Sequence, residues 1–113
     1  MAVVIWSDKA KQDLRSIHSY HYVNTSPLYA TRLLIDLVDA ADALETSPRI
    51  ANVEFDFADL GEIRGLLVKQ KGKKPQYKLM YMVEGDTCYI LAIWNTKRNP
   101  ANKIQIVPLG LSN

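Results

Sequence analysis

The chain has 113 residues, of which 48% are hydrophobic, and a net charge of +2 at pH 7. This length predicts one domain, residues 1–113, with a core of modest size. The sequence lacks an apolar run of about 18 residues, which a transmembrane helix needs, and its first residues lack the pattern of a secretory signal. A single cysteine, Cys88, excludes an intramolecular disulfide. We therefore expect a cytoplasmic protein without membrane contacts.

Charge is divided unevenly along the chain. Residues 1–60 carry five Lys/Arg and nine Asp/Glu, a net charge of −4, whereas residues 61–113 carry nine and three, a net charge of +6. This asymmetry indicates an anionic partner for the C-terminal half, either nucleic acid or an acidic protein segment. For any single lysine, a role in solubility is the simpler interpretation.

The N-terminal half predicts one strand and two helices. Residues 2–6 (AVVIW) have β propensity, and Ser7 follows them as the N-cap of a first helix. Ser26 and Pro27 begin a second helix, which runs to about Thr46. Its predicted buried stripe consists of Ala30, Leu33, Leu34, Leu37, Val38, Ala41 and Leu44. A short link between two long helices predicts an antiparallel helical hairpin.

The polar residues of these helices do not predict a metal site. His18 and His21 are three residues apart without a cysteine or an acidic ligand motif nearby, which favours structural or surface roles. Asp36, Asp39 and Asp42 share a polar helix face, which is typical of a solvated surface. We expect neither a metal nor another cofactor.

The C-terminal half predicts a loop and three strands. Residues 49–60 form the loop, a strand begins near residue 61, and residues 69–74 (KQKGKK) form a lysine-rich connection. Two further strands are joined at Gly85 and Asp86, and a short extended tail covers residues 103–109. The predicted order is therefore β-α-α-β-β-β.

A two-residue loop at Gly85 and Asp86 also predicts which residues face one another. It pairs Tyr77 with Trp94 and Lys78 with Ile93. The face that receives the helices would then carry Tyr77, Leu79, Tyr81, Val83, Cys88, Ile90, Ala92 and Trp94. Lys78 would lie on the opposite face.

Several cations are carried by these strands or by their ends. Arg64, Lys78, Lys97 and Arg98 could bind a phosphodiester and stabilise its pentacoordinate transition state if they converge. A lysine whose pKa is lowered by neighbouring cations could also accept a 2′-hydroxyl proton. Tyr89, on the predicted Lys78 face, could stack on a base. The sequence has no nucleotide-binding glycine motif and no zinc-binding cysteine spacing.

Five segments, WSDKAKQDLRSIHSY, ALETSP, EIRGLLVK, YKLMYMVEGDTCYILAIW and KRNP, together resemble the RelE/ParE superfamily of bacterial toxins over about residues 4–100. The resemblance implies an α+β fold of RelE type, with an antiparallel helical hairpin packed on one face of a mainly antiparallel sheet. It also implies a toxin of a type II toxin–antitoxin (plasmid stabilisation) module. A cognate antitoxin would neutralise it in a toxin–antitoxin hetero-oligomer.

The superfamily has two activities, and the resemblance leaves both open. RelE-like members cut mRNA on the ribosome with basic residues of the sheet, and Arg64, Lys78 and Arg98 fall at or near those positions. Such enzymes often add a C-terminal tyrosine or histidine, and residues 99–113 contain neither. ParE-like members inhibit DNA gyrase, and we favour this activity.

Arg64, Lys78 and Arg98 are catalytic candidates only in the RelE-like interpretation, whereas Lys69, Lys71, Tyr89 and Lys97 are expected to contact the nucleic acid or the protein target in either case. The first alternative is a ribosome-dependent, metal-independent endoribonuclease. The second is a degenerate family member that has lost its toxicity.

Overall fold

The computed structural model describes residues 1–97. Its elements are strand β1 (Val3–Trp6), helices α1 (Asp8–Asn24) and α2 (Pro27–Asp42), and strands β2 (Arg64–Leu67), β3 (Tyr77–Glu84) and β4 (Thr87–Asn95). Two 3₁₀ helices, Ala43–Glu45 and Phe55–Leu60, lie between α2 and β2. The predicted α+β fold and element order are confirmed, while Arg98 and the tail at 103–109 lie outside the described residues.

The four strands form one sheet in the order β1-β4-β3-β2. β1 runs parallel to β4, and the other two pairs are antiparallel. β1 and β4 are parallel because the helical hairpin carries the chain back across the sheet before the antiparallel strands begin. Among residues 1–97, no helix has both the length and the apolar content that crossing a membrane requires.

Both helices begin where the capping residues predict. The Ser7 hydroxyl accepts the Ala10 N–H at 3.0 Å, and the Ser26 hydroxyl accepts the Tyr29 N–H at 3.0 Å. These bonds satisfy N–H groups that a helix start leaves without a partner. α2 ends at Asp42, earlier than predicted, because its last turn tightens into the 3₁₀ helix.

The β3–β4 register is predicted correctly only near the turn. Tyr81 pairs with Ile90 as expected, but Lys78 pairs with Trp94 rather than with Ile93. A β-bulge causes this shift, because β4 has one more residue than β3 between these two pairs. The sequence pattern does not reveal the bulge, since nearly every residue of β4 is apolar.

The bulge also corrects the predicted faces of the sheet. It pairs Tyr77 with Asn95 rather than with Trp94. Ala92 and Trp94 therefore belong to the core on the far side of the sheet, not to the side that receives the helices. The prediction for these two residues was wrong, because a one-residue slip moves every later side chain to the other face.

Backbone groups beside the bulge bond to the start of α1. The Ser7 hydroxyl donates to the Leu91 carbonyl at 2.9 Å, and the Ser7 N–H donates to the Ile90 carbonyl at 2.9 Å. The Ile93 N–H donates to the Asp13 carboxylate at 3.0 Å, and the same carboxylate forms an ion pair with Lys9. The distortion therefore leaves these backbone groups with partners.

A core fills each side of the sheet. The larger core lies under the helices and includes Ala10, Leu33, Leu37, Ala41, Leu44, Tyr77, Leu79, Tyr81, Cys88, Ile90 and Ile93. Leu34 and Val38, which were predicted to be buried, are only half-buried. The second core consists of Phe57, Ile63, Met80, Leu91, Ala92 and Trp94.

The 3₁₀ helix Phe55–Leu60 provides the cover for the second core. The Phe57 ring meets the Trp94 ring edge to face, with centroids 5.3 Å apart. The sequence predicted a loop here, because six residues are too few to show a helical period. The sheet is thus covered on both faces, by two long helices on one side and a short segment on the other.

Candidate functional site

The two candidate catalytic cations within the described residues lie on opposite faces of the sheet. Arg64 is directly across from Tyr81, which belongs to the core under the helices. Lys78 is directly across from Trp94, which belongs to the second core. Side chains directly opposite in a strand pair share a face. The structure therefore does not bring Arg64 and Lys78 together.

The Arg64 side chain forms hydrogen bonds with residues that precede β2. Its guanidinium donates to the Ala51 carbonyl at 2.7 Å, to the Arg49 carbonyl at 3.4 Å and to the Glu62 carboxylate at 2.8 Å. The Tyr81 hydroxyl is nearby and accepts the Ala51 N–H at 3.4 Å. Burial raises the pKa of Tyr81, and the bond from Ala51 and the Arg64 charge partly oppose that rise. Arg64 thus orders the residues that lead into β2.

Lys78 forms an ion pair with Glu54. Its ammonium lies 3.0 Å and 3.2 Å from the two carboxylate oxygens, and both side chains are mostly shielded from water. Gly65 makes room for this pair, since a Cβ at that position would lie 2.7 Å from a Glu54 oxygen. The positive charge that Lys78 would offer to a phosphate is therefore already balanced by a carboxylate.

The predicted target-binding residues are dispersed rather than clustered in one pocket. Tyr89 lies on the Lys78 face, half-buried against the second core. Lys97 is exposed just beyond β4, where its N–H donates to the Asn95 side chain at 2.9 Å. Lys69 and Lys71 are exposed in the connection between β2 and β3. Arg98 lies outside the described residues.

Most of these lysines share one end of the sheet. Tyr77, the first residue of β3, pairs with Asn95, the last residue of β4. The connection before β3 and the exit from β4 are therefore neighbours, and the Thr96 N–H donates to the Gln76 carbonyl at 2.9 Å. We call this region the basic end; it comprises Lys69, Lys71, Lys73, Lys74 and Lys97. The opposite end, at the β3–β4 turn, carries Glu84 and Asp86.

The lysine-rich connection is attached to the helical hairpin through Tyr29, which the sequence did not single out. The Lys73 ammonium lies 3.9 Å from the centroid of the Tyr29 ring, in cation–π geometry. The Gln70 side chain donates to the Tyr29 hydroxyl at 3.0 Å. These contacts join residues about 40 positions apart, and helix or strand periodicity carries no signal for them.

His21 lies beside this attachment and is a structural residue, as predicted. One ring nitrogen is 2.9 Å from the Tyr77 hydroxyl, and the other is 3.2 Å from the Thr25 hydroxyl. Burial, followed by the nearby Lys73 charge, lowers the pKa of His21 below its ordinary value. Within residues 1–97, no three His, Cys, Asp or Glu side chains are grouped to hold a metal ion.

A groove of about 500 Å³ lies between α2 and the outer strand β2. Its walls include Ile50, Leu66 and Leu67, and the acidic residues Asp36 and Asp39 lie at its edge. Among residues 1–97, backbone bonds to the outer edge of β2 are confined to its start, where the Gly65 N–H donates to the Asn52 carbonyl at 3.2 Å.

Comparison with solved structures identifies the architecture. A structure described as the chromosomal ParDE toxin–antitoxin system from P. aeruginosa superposes with a TM-score of 0.70. The alignment covers 86% of this chain and 98% of that chain at 21% sequence identity, and it establishes a common fold. The class of protein is therefore a small α+β domain in which a helical hairpin packs on a sheet.

A family model makes the assignment more specific. Residues 4–100 match the model for the ParE toxin of the parDE type II toxin–antitoxin system. The chain therefore belongs to the ParE toxin family of type II toxin–antitoxin systems. No curated protein matches it. The RelE/ParE resemblance and the preference for its ParE-like side are confirmed.

Proposed function

We propose that this toxin inhibits DNA gyrase and that a cognate antitoxin neutralises it. Family membership supports the toxin–antitoxin part of the proposal, and the ParDE structure supports an antitoxin partner by analogy. One observation favours gyrase over mRNA as the target: Arg64 and Lys78 lie on opposite faces of the sheet. A ribonuclease of the RelE type would need them on the same phosphodiester.

Electrostatic stabilisation of a phosphodiester transition state requires donors about 3 Å from the developing charge. Side chains on opposite faces point away from each other, with the backbone of the sheet between them. In addition, Lys78 is paired with Glu54, and Arg64 is bonded to three protein oxygens. Cleavage of RNA would require both sets of bonds to break before the substrate binds.

An antitoxin of acidic or amphipathic character would fit two surfaces of the toxin. The basic end offers exposed positive charge. The groove beside β2 offers apolar walls next to backbone groups that an added strand could pair with. Co-expression with the neighbouring reading frame, followed by affinity purification, tests this part. A stable, growth-neutral chain that binds nothing encoded beside it would contradict the antitoxin proposal.

The target is tested by measuring two activities of the purified toxin side by side. We expect inhibition of supercoiling by DNA gyrase and no cleavage of mRNA on translating ribosomes. Lys78→Ala and Arg98→Ala are the test variants, and Lys11→Ala, on an exposed position of α1, is the matched control. In a ribonuclease, either test variant would lose roughly 3 kcal/mol of transition-state stabilisation, about a hundredfold in rate.

Each alternative gives a different result. Codon-phased mRNA cleavage that disappears in Lys78→Ala and Arg98→Ala, but not in Lys11→Ala, would establish the endoribonuclease. Antitoxin binding without either activity, and without an effect on growth, would identify a degenerate toxin.

A further inference from the structure

Residues 69–74, which lie within the connection between β2 and β3, are called the lysine loop. We propose that the lysine loop binds the phosphate backbone of the duplex DNA on which gyrase acts. This inference rests on the proposed function and names a second component of the same target. It is based on three features of the loop: its defined conformation, the lysines that have no ion-pair partner among the described residues, and its place at the basic end of the sheet.

Contacts within the lysine loop and with Tyr29 of α2 hold the loop in a defined conformation. Gln70 and Lys73 form a β-bridge across the loop, and Gly72 takes a positive φ of 75°, which closes the turn without strain. Tyr29 then holds Gln70 by a hydrogen bond and Lys73 by a cation–π contact. Because the loop is already ordered, presenting its charges to a partner costs less conformational entropy than ordering a free loop.

The lysines of the loop are not equally available to a partner. Lys69 lines the groove that Asp36 and Asp39 also line, so these carboxylates partly offset its charge. Lys71 and Lys74 are exposed, and the described residues provide no ion pair for either. These two ammonium groups are the main contacts that the proposal assigns.

The lysine loop lies at the same end of the sheet as another positive side chain. Lys97 is exposed at the same end of the sheet, because β3 begins where β4 ends. Positive groups spread over a loop and a neighbouring strand exit match a row of phosphates better than they match one small anion. The opposite end of the sheet carries Glu84 and Asp86, so the molecule would orient with the basic end toward DNA.

The chemistry of the loop indicates contacts to phosphate rather than to bases. Lysine ammonium groups act as compact charges and lack the bidentate geometry with which arginine reads guanine. Tyr29, an aromatic ring in contact with the loop, already has Lys73 over one of its faces. We therefore expect binding that is independent of base sequence and strongly dependent on salt.

The test uses the full chain and a short duplex DNA of mixed sequence, with affinity measured by fluorescence anisotropy at several salt concentrations. The variant Lys71→Gln/Lys74→Gln should bind more weakly, and the slope of log K against log salt should fall by about 1.8, or about 0.9 for each lost phosphate contact. The control Lys11→Gln/Arg15→Gln changes the net charge equally on exposed positions of α1 and should keep the slope of the parent.

The role of Tyr29 has a separate signature. Tyr29→Leu removes the ring and the hydroxyl but keeps every lysine, so the affinity should fall while the salt slope stays nearly unchanged. Tyr29→Phe keeps the ring under Lys73 and loses only the bond from Gln70. The affinity of Tyr29→Phe for DNA should therefore lie between that of the parent and that of Tyr29→Leu.

Inhibition of gyrase supercoiling distinguishes failure of this inference from failure of the proposed function. If the parent does not inhibit gyrase, the proposed function is wrong, and anisotropy still reports whether the loop binds DNA. If the parent inhibits gyrase and Lys71→Gln/Lys74→Gln inhibits equally, with an unchanged salt slope, the inference is wrong. Tighter binding of a single-stranded RNA of equal length, or a defect confined to antitoxin binding, would also overturn it.

Discussion

The two faces of the sheet are buried by different means. On one face, α1 and α2 supply apolar side chains at helical spacing, and Ala10, Leu33 and Leu37 are almost completely buried. On the other face, a six-residue 3₁₀ helix supplies Phe57, and an ion pair from Lys78 completes the cover. The first face depends on a large apolar area, whereas the second depends on a few specific contacts.

This difference bears on function as well as stability. The nuclease interpretation requires Lys78 to be available to RNA on the face that the 3₁₀ helix covers. That face instead holds Phe57 against Trp94 and Glu54 against Lys78. The short segment and the ion pair therefore occupy the face on which the nuclease interpretation depends. Variants on each face test this comparison.

The strongest test concerns the helix-covered face. Leu37→Asp should reduce the free energy of unfolding by about 4 kcal/mol or more, because it places an unpaired charge at a position with 0% exposure. Ile35→Asp, at a position that is 51% exposed, is the control and should change stability by less than about 1 kcal/mol. Urea unfolding of both variants gives the difference. If Leu37→Asp melts like the parent, the assigned packing of α2 is wrong.

The second test concerns the short cover. Phe57→Ala should cost about 3 kcal/mol, because it empties the space against Trp94 and exposes the second core. Phe55→Ala removes the same side chain at a position that is 91% exposed and should have almost no effect. Urea unfolding measures both, and tryptophan fluorescence should change in the folded state of Phe57→Ala alone. Equal stability of the two variants would show that the cover does not contribute to the core.

These two faces also show what the sequence can predict. The helices, their N-caps and the β3–β4 turn follow from local chemistry: Ser7 and Ser26 accept N–H groups, and Gly85 takes a positive φ of 57°. Each of these features depends on neighbours within a few residues. Periodicity then places the helices on the sheet, since Leu33 and Leu37 recur at helical spacing.

Features that depend on distant residues were not predictable. The bulge in β4 leaves no pattern in a strand that is apolar at nearly every residue, and it places Trp94 on the face opposite to the predicted one. The same limitation applies to the candidate site. Arg64 and Lys78 are on different strands, so alternation within one strand cannot show whether they share a face. The relative faces depend on the β2–β3 register, and the length of the connection between the two strands does not specify that register. Lys78 and Glu54 are 24 residues apart in the sequence, so their pairing depends on the tertiary fold.

A third test isolates that ion pair. A double-mutant cycle with Glu54→Gln and Lys78→Met should give a coupling energy of about 1 kcal/mol, since both side chains, although mostly shielded, keep some contact with water. The coupling should decrease at high salt. A parallel cycle with Glu62→Gln and Arg64→Met gives the reference on the opposite face, where the Glu62 carboxylate is well exposed. Zero coupling between Glu54 and Lys78 would show that Lys78 is available to other partners.

The smallest expected effect concerns pH, and it tests the junction between the helices and the lysine loop. Burial and then the Lys73 charge lower the pKa of His21 in the folded state. The unfolded chain therefore binds a proton at a higher pH than the folded chain does, and the stability contributed by neutral His21 is lost as the pH falls from about 6.5 toward the folded pKa. Below the folded pKa, the His21 contribution should level off. The effect is limited because the Tyr77 and Thr25 hydroxyls can each accept a hydrogen bond from the protonated ring.

The measurement is urea unfolding of the parent and of His21→Gln between pH 8 and about pH 5, within the range where histidine titrates. The parent should lose more stability than His21→Gln over this interval, and the difference between them isolates His21 from the acidic groups. Lys73→Gln should reduce the difference, since Lys73 is the second cause of the lowered His21 pKa. If His21→Gln and the parent lose stability in parallel, the buried histidine does not couple protonation to folding.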